Sequence, residues 1–511
     1  MGSGKSNTSR QDSREKLISK LSKTLDYVEG AYESGKAAHE VELGIFKHVL
    51  EIGFEALGLF FELSGNGDQG AHLALPNGEV VRRLKELRMR EYLSIFGQFE
   101  LERTAYGTRE KKKIQWVPLD TQLSLPESKF SYVLQNWNQD IAGDGPFNQV
   151  NAVLGKILGI TQSVNSLERT NRKMAESTEA FWDQKEVPAA EEEGELMVFQ
   201  SDGKGVVMRP ETSETSKPTV PVLHEKNNKQ EKNGKKKMAL VGASYTVDRY
   251  IRTPEQILEA LFRSTGKKED SPSRPKPVAK YVRASLLRDA SGTMMPSYDE
   301  IFDWQAKELK LRNPDETKPV LFLMDGQDSL WQALLKYFPD TVIISILDII
   351  HATSYVWDAA HLFYPKGSSE AIGFAKNRIR RILNGDIEGV IRGLRWKGTY
   401  DGLSTSKTEK LEKICGYFEN NCHRMAYDEY LAAGYPIASG VIEGACRNIV
   451  VDRMERSGMR WVMGGAHAML ELRCIKLSGL WDEFNEFRIK QECERLYPGH
   501  AANDEYAAKI A

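Results

Sequence analysis

The amino-acid sequence predicts an α/β protein: a mixed β-sheet core with helices on its faces, a helical subdomain inserted into that core, and a mainly helical region ahead of it. Three observations predict it. Two apolar runs of buried-strand length, in 196–208 and 320–324, each lead into an Asp-Gly pair. Strand-like segments come first in hairpin-like succession and then alternate with helix-like segments, the order expected of a mixed sheet. The stretch between Asp348 and Glu443 is helix-rich and far longer than an ordinary connection, so it is expected to be an insertion.

Composition sets the outer limits. The chain has 511 residues, enough for two to four domains, and 41% of them are hydrophobic, so real cores form without covalent staples. A formal net charge of -2 excludes a protein that coats nucleic acid by bulk charge; any such contact must come from local basic patches. Cys415, Cys422, Cys446, Cys474 and Cys493 show no paired zinc-ribbon spacing, which points to reduced thiols in a cytoplasm. The early apolar run ending at Phe61 is bracketed by Glu55 and Glu62 and is far too short to span a bilayer, and no signal peptide is visible, so no membrane contact is expected. The opening Gly2-Ser3-Gly4-Lys5-Ser6 has the look of a phosphate-loop tail but lacks the earlier glycine and the preceding strand that such a loop needs.

Along the chain, 1–36 reads as a flexible polar N-terminus and 37–185 as a helical and hairpin DNA-binding region, with Arg109, Lys111, Lys112, Arg169 and Lys173 its candidate DNA contacts. Val41, Ile45, Val49, Ile52 and Leu57 recur at helical spacing, predicting an amphipathic helix that packs on the core or on a second subunit. From 94 to 117 the period falls to two, with Phe99 and Leu101 alternating against Gln98, Glu100 and Glu102; Tyr106-Gly107 reads as a turn, 114–117 as the returning strand of a hairpin, and Arg109, Lys111, Lys112 and Lys113 as its basic tip. Over 147–178 two helical patterns flank Gly159, and Ser163 is placed to cap the second. They form either a helix-turn-helix, with Asn165, Arg169 and Lys173 along one face of its second helix, or an ordinary packed pair. An acidic segment with Pro188, 186–195, reads as a linker.

The core then begins at 196, its first part reaching 350. Strands are expected over 196–208, bent at Asp202-Gly203, and over 238–247, 320–324 and 341–347; helices are expected at 254–262, 298–309 and 328–337. The helical insertion covers 351–435, a helix carrying Glu443 and the C-terminal helices 436–490, and a tail 491–511.

The chemistry concentrates in three acids. Asp202 and Asp325 are expected at strand ends, each before a glycine that lets backbone and ligand approach closely, and Glu443 where a helix begins. Carboxylates brought that close repel unless a cation neutralises them. Two magnesium ions, with manganese a workable substitute, would be held by Asp202, Asp325 and Glu443 and would clamp the attacking and leaving oxygens of a phosphodiester in line. Asp348 and His351 are ambiguous: Asp348 is either the N-cap of a helix or a rival second ligand, with His351 in the first turn contacting the scissile strand or a metal-bound water. Arg378 and Arg381, and Arg447, Arg453, Arg456 and Arg460 near Glu443, are candidate phosphate contacts, each with the bland alternative of a solvated face. Trp331, Trp357, Trp396 and Trp461 either stack on unpaired bases or pack in the core.

The strand ending in Ser201-Asp202-Gly203, the later Met324-Asp325-Gly326 and the helix start Ser439-Gly440-Val441-Ile442-Glu443-Gly444-Ala445-Cys446 resemble the acidic triad of insertion-sequence transposases with a ribonuclease-H-like fold, most closely the ISKra group. The resemblance extends to Ser94–Phe99, Pro118–Asp120 and Ser457–Trp461, covering most of the chain from about Val41 to Trp481. It implies that the first Asp ends the first strand, the second Asp ends the fourth, and the Glu comes from a helix after the sheet. It also implies an enzyme that binds double-stranded DNA, cleaves transposon ends and joins them to target DNA, working in a bacterial cytoplasm as a homodimer or larger synaptic assembly. Two further readings of the same residues are a domesticated, non-catalytic DNA-binding protein and a nuclease without strand transfer.

Overall fold

The structure, a computed structural model, describes residues 4–75, 78–108, 114–209, 236–262, 274–286 and 298–498. The chain divides into two compact units, Met1–Phe181 with Asp482–Ala511, and Trp182–Trp481. Among the described residues no helix is long and apolar enough to cross a membrane.

The first unit opens with an antiparallel helix pair, α1 (Gly4–Glu33) and α2 (Ala38–Ser64), so the expectation of a flexible N-terminus is corrected. One face of α1 is held by α2: Lys20 pairs with Glu51, Thr24 Oγ1 meets His48 Nδ1 at 3.2 Å, and the Tyr27 hydroxyl donates to the Glu40 carbonyl at 3.1 Å. Short strands follow, β1 (His72–Ala74), β2 (Val80–Arg83), β3 (Arg88–Ser94), β4 (Gly97–Arg103) and β5 (Tyr106–Gly107). The hairpin pairs differently from expectation. Phe99 and Leu101 lie on β4, but their partner is the upstream β3, with Tyr92 opposite Phe99; Tyr106 is in a strand and bridges Trp116. Alternating charges at Arg88, Arg90 and Glu91 hide β3 from an apolar-pattern reading. The basic tip with Arg109, Lys111 and Lys112 lies outside the described residues.

Five helices complete this run, α3 (Pro118–Gln122), α4 (Tyr132–Asp144), α5 (Phe147–Leu158), α6 (Val164–Ala175) and α7 (Thr178–Gln184). The pair α5–α6 has the expected bounds. Gly159 stops α5 in the left-handed region at φ 69°, and Ser163 caps α6 by accepting from the Ser166 N–H at 3.2 Å. Leu167 and Met174 face inward, while Asn165, Arg169 and Lys173 stay exposed.

The second unit holds β6 (Leu196–Val207), β7 (Lys236–Val247), α8 (Pro254–Phe262), β8 (Val278–Leu286), α9 (Tyr298–Arg312), β9 (Val320–Met324), α10 (Asp328–Tyr337), β10 (Ile343–Leu347), α11 (Ile349–Phe363), α12 (Ser369–Leu383), α13 (Ile387–Tyr400), α14 (Thr405–Asn421), α15 (Tyr427–Ala432), α16 (Gly440–Cys446), a π-helical continuation Arg447–Glu455, and α17 (Met463–Leu477). Its five-stranded sheet has the order β10-β9-β6-β7-β8. β6, β7 and β8 are antiparallel neighbours, whereas β9 and β10 run parallel to β6. β8 is the one sheet strand absent from the sequence reading, because Lys280 and Arg283 interrupt its apolar run; Arg283 is buried and paired with Glu300 and Glu471.

Period-two alternation distributes the sheet over two cores. Leu196, Val198, Leu321 and Leu323 join Val356, Phe374, Leu394, Phe418 and Leu431 on one face, and Met197, Phe199, Val320 and Phe322 join Ile301, Phe302, Leu330 and Trp331 on the other. The inserted helices α11–α15 therefore share the core of the sheet and form one of its layers, rather than a subdomain with a core of its own. The last helix, α18 (Trp481–Leu496), returns to the first unit, where Arg488 Nη1 donates to Gln135 Oε1 at 3.2 Å; the expected grouping of 436–490 is thereby split.

The acidic segment 186–195 is not a free linker. Glu193 is buried, accepting from Arg312 Nε at 2.5 Å and pairing with Lys318 at 2.9 Å, while Glu308 pairs with Lys185 at 3.0 Å and Arg312 at 3.5 Å. Buried charges persist only when paired, so this network welds the start of β6 to α9. Glu193→Ala strands Arg312 without its closest carboxylate and is expected to cost about 3–5 kcal/mol in urea unfolding of the chain, whereas exposed Glu191→Ala should change stability by less than about 0.5 kcal/mol.

Candidate functional site

Four acids from four elements gather at one end of the sheet. Asp202 lies within β6, opposite Val241 of β7, rather than at a strand end as expected. The hairpin partner keeps β6 extended as far as Val207, but on its other edge pairing with β9 stops at Phe199, so Asp202 sits where the sheet has opened. Its Oδ1 accepts from the Gly203 N–H at 2.7 Å, and Cys446 Sγ donates to its Oδ2 at 3.5 Å. Asp325 directly follows β9, and its Oδ1 accepts from the Gln327 N–H at 2.9 Å, closing a tight turn into α10. Gly326 is required by the ring of Tyr417, which a Cβ at that position would meet at 2.3 Å; the glycine admits a side chain of the protein rather than a ligand.

Asp348 caps α11: its oxygens accept from the N–H groups of Ile350 at 3.1 Å and His351 at 3.2 Å, and Oδ1 also accepts from Ser439 N–H at 3.0 Å. Both oxygens are committed to backbone, which leaves it poorly suited to act as the rival ligand. The His351 ring stands between two acids, Nε2 at 4.0 Å from Asp325 and Nδ1 at 4.0 Å from Asp348, and is half exposed. Glu443 is exposed on α16, one turn before Cys446.

Burial pushes the Asp325 carboxyl above the usual range; the Gln327 N–H and His351 oppose this, and the charges of Asp202 and Asp348 add to it. Burial also raises Glu443, with Asp348 and Asp202 again adding and His351 opposing. The acids thus stand within electrostatic reach of one another. Cys446, raised far above the usual thiol range by burial and then by Asp202, stays protonated and holds that carboxylate as a donor. Sequence reasoning missed Cys446, although its spacing of three residues from Glu443 puts both on one helix face.

Two buried side chains position α16. Gln200 Oε1 accepts from the Ile442 N–H at 2.8 Å, and the Asp348 bond to Ser439 holds the preceding residue. Beyond α16, Trp461 of the 457–461 motif bridges Met208 and accepts from the Arg209 N–H at 2.8 Å, tying that motif to the strand of Asp202.

Oxygen-rich donors with unneutralised mutual repulsion have the chemistry of a hard-cation site. Among the described residues, however, no three His, Cys, Asp or Glu side chains stand as a ready-made ligand group. A cavity of about 760 Å³ lined by Tyr250, Arg252, Val441 and Gly444 contains none of the four acids.

The basic candidates divide. Arg447, Arg456 and Arg460 are exposed, whereas Arg453 is fully buried against Met459 and Trp461, which corrects its expected place on a phosphate path. Arg381 pairs with Asp386 at 2.6 Å, and Arg378 lies 3.9 Å above the Phe374 ring, its pKa lowered by burial and by Arg381. Lys173 pairs with Glu176 at 2.7 Å. Trp331 is core, donating to the Asp325 carbonyl at 2.7 Å, and Trp461 donates to the Met454 carbonyl at 3.0 Å; Trp357 is partly buried on the larger core, and Trp396 is exposed and stacked on Tyr400. All five cysteines are free thiols.

No protein-family model matches the chain, and no curated protein matches it. Among solved structures, a Drosophila P element transposase strand transfer complex is similar over 70% of this chain and 81% of that one, at 12% identity and a TM-score of 0.25. A superposition that loose does not assign a fold.

A carboxyl with a raised folded-state pKa stabilises the native state below its unfolded pKa and loses that contribution as pH rises through the folded value. In EDTA, Asp325→Asn is therefore expected to melt above the parent at about pH 8, the gap closing as pH falls through the carboxylate range to about pH 3. Thermal melts across that series check it; a gap that widens toward acid contradicts it.

Proposed function

We propose that the second unit is a ribonuclease-H-like catalytic domain and that the chain is a DDE-type transposase. It would bind the terminal inverted repeats of its element, hydrolyse a phosphodiester at each end, and use the freed 3' hydroxyl to attack target DNA. The observation that carries this reading is the gathering of Asp202, Asp325 and Glu443 at one sheet end, on the first strand, after the fourth strand and on a later helix.

Asp202, Asp325 and Glu443 are the residues that would hold Mg2+, or Mn2+ in its place. When bound, two such ions neutralise the acids and align the attacking and leaving oxygens. Asp202 is kept in place by the Gly203 N–H and the Cys446 thiol, Asp325 by its turn into α10. Glu443, exposed on α16, would complete the ligand group and help orient the attacking water. His351, half exposed between Asp325 and Asp348, is placed to contact the scissile strand. Arg169 and Lys173 on α6 would position double-stranded DNA from the first unit, and Arg447, Arg456 and Arg460 from the second, through phosphate contacts that weaken as salt rises.

A non-catalytic DNA-binding protein is the second reading, favoured by the acids not forming a ready ligand group as they stand. Incubation with the flanking genomic DNA and magnesium, followed by mapping of cut and joined ends, separates the readings. Metal-dependent cutting and joining is expected, with Asp202→Asn retaining end binding in a gel shift and losing about 100-fold or more in cleavage. Binding without any cutting by the parent supports the second reading, and cutting without joining reduces the enzyme to a nuclease. Gln200→Ala removes the acceptor of the Ile442 N–H and is expected to cost about 1–3 kcal/mol in stability while lowering cleavage more than end binding.

A further inference from the structure

α16 separates two places of opposite charge. Cys446 faces Asp202, and Glu443 lies one turn before it. Gly440 and Gly444, with Val441 and Ala445, recur at one-turn spacing on another side of the helix and line the cavity of about 760 Å³. A Cβ on Gly440 or Gly444 would meet nothing within 4 Å, so this wall borders open space rather than packed core. The volume falls in the range of small-ligand cavities.

The remaining lining is cationic and apolar. Arg252 comes from the segment after β7, Arg274 and Lys276 from the strap that leads into β8, and Lys280 from β8 itself. In Arg274-Pro275-Lys276-Pro277 each proline fixes its own φ and keeps the residue before it extended, so two cations are displayed on a stiff strap at little entropic cost. Asp248 is the one carboxylate among the described lining residues, and its Oδ1 accepts from the Glu195 N–H at 3.4 Å. Arg252 is anchored without being neutralised: Nε donates to the Tyr250 carbonyl at 3.2 Å and Nη2 to the Tyr435 carbonyl at 2.6 Å. Burial, and then the charge of Arg274, bring its guanidinium down to about 10, and no carboxylate acts against them. Val247, Val282, Pro436, Leu477 and the ring of Tyr250 supply apolar surface beside these charges.

We propose that this cavity binds a small organic phosphate, its phosphate held by Arg252, Arg274, Lys276 and Lys280 and its apolar or aromatic body lying against Tyr250 and the glycines of α16. A phosphate monoester carries about -1.5 to -2 charges, which answers a cluster of four cations better than one carboxylate does. Guanidinium groups present paired donors to its oxygens, and a partly desolvated site strengthens those bonds. None of Asp202, Asp325, Asp348 and Glu443 lines the cavity, so binding measured without metal or DNA can succeed or fail independently of the catalytic reading.

Fluorescence titration of the full chain with 1-naphthyl phosphate, in low salt and EDTA, measures the binding. A dissociation constant on the order of 10–100 μM is expected, with inorganic pyrophosphate displacing the probe and neutral 1-naphthol binding at least about 10-fold more weakly. Arg274→Ala with Lys276→Ala removes two exposed side chains and should weaken binding about 10-fold or more at an unchanged melting temperature. Gly444→Leu projects into the open space and should abolish binding while keeping the fold, since Leu is the better helix former. No saturable binding by the parent chain, equal affinity for 1-naphthol, or an affinity unchanged in either variant overturns the proposal. Displacement of the probe by a short single-stranded oligonucleotide would assign the site to DNA and overturn the small-ligand reading.

Discussion

The candidate site depends on how α16 is fastened to the end of the sheet. Gln200 on β6 and Asp348 at the start of α11 each spend a buried side-chain acceptor on a backbone N–H near the beginning of this short helix, those of Ile442 and Ser439. Seven residues of helix have little stability of their own, so position must come from such contacts. The N–H groups at a helix start lack intrahelical partners, and a buried acceptor aimed at them both satisfies the helix and fixes it in space. Glu443 and Cys446 are carried to Asp202 by that attachment, across more than two hundred residues of chain.

The same acids play unequal parts. Asp348 is buried and saturated by backbone donors, so it serves as a joint between α11 and α16 while its charge still acts on Asp325 and Glu443. Asp202 and Asp325 each keep one oxygen bound to a nearby backbone N–H, which orients them without exhausting their acceptor capacity. The result is a concentration of negative charge in a partly desolvated place, the condition that makes a divalent cation favourable. The surrounding scaffold is stiff: two cores grip the sheet from both faces, and the Glu193–Arg312–Glu308–Lys185 network secures the approach to β6.

Much of the architecture was legible in the sequence, for definite reasons. β9 is an unbroken apolar run and α10 an amphipathic one, and both have the bounds expected; α5–α6 were marked by a glycine stop and a serine cap. Elements whose stability comes from pairing rather than pattern were not legible. β8 contains a buried Arg283 neutralised by Glu300 and Glu471, β3 is lined with charge, and α1 looks disordered until its polar stripe meets α2. Arg453 shows the reverse error, since a charged residue in a basic cluster turned inward beneath Trp461.

Asp202, Asp325 and Glu443 stand out along the chain alone, because strand-length apolar runs and a helix start are local patterns and acids beside them are visible one segment at a time. Which acids remain open to solvent and which are consumed as joints was decided only by the tertiary structure. A carboxylate's role depends on the donors and charges around it, and here those come from elements hundreds of residues apart, brought together by a sheet whose edge opens after Phe199.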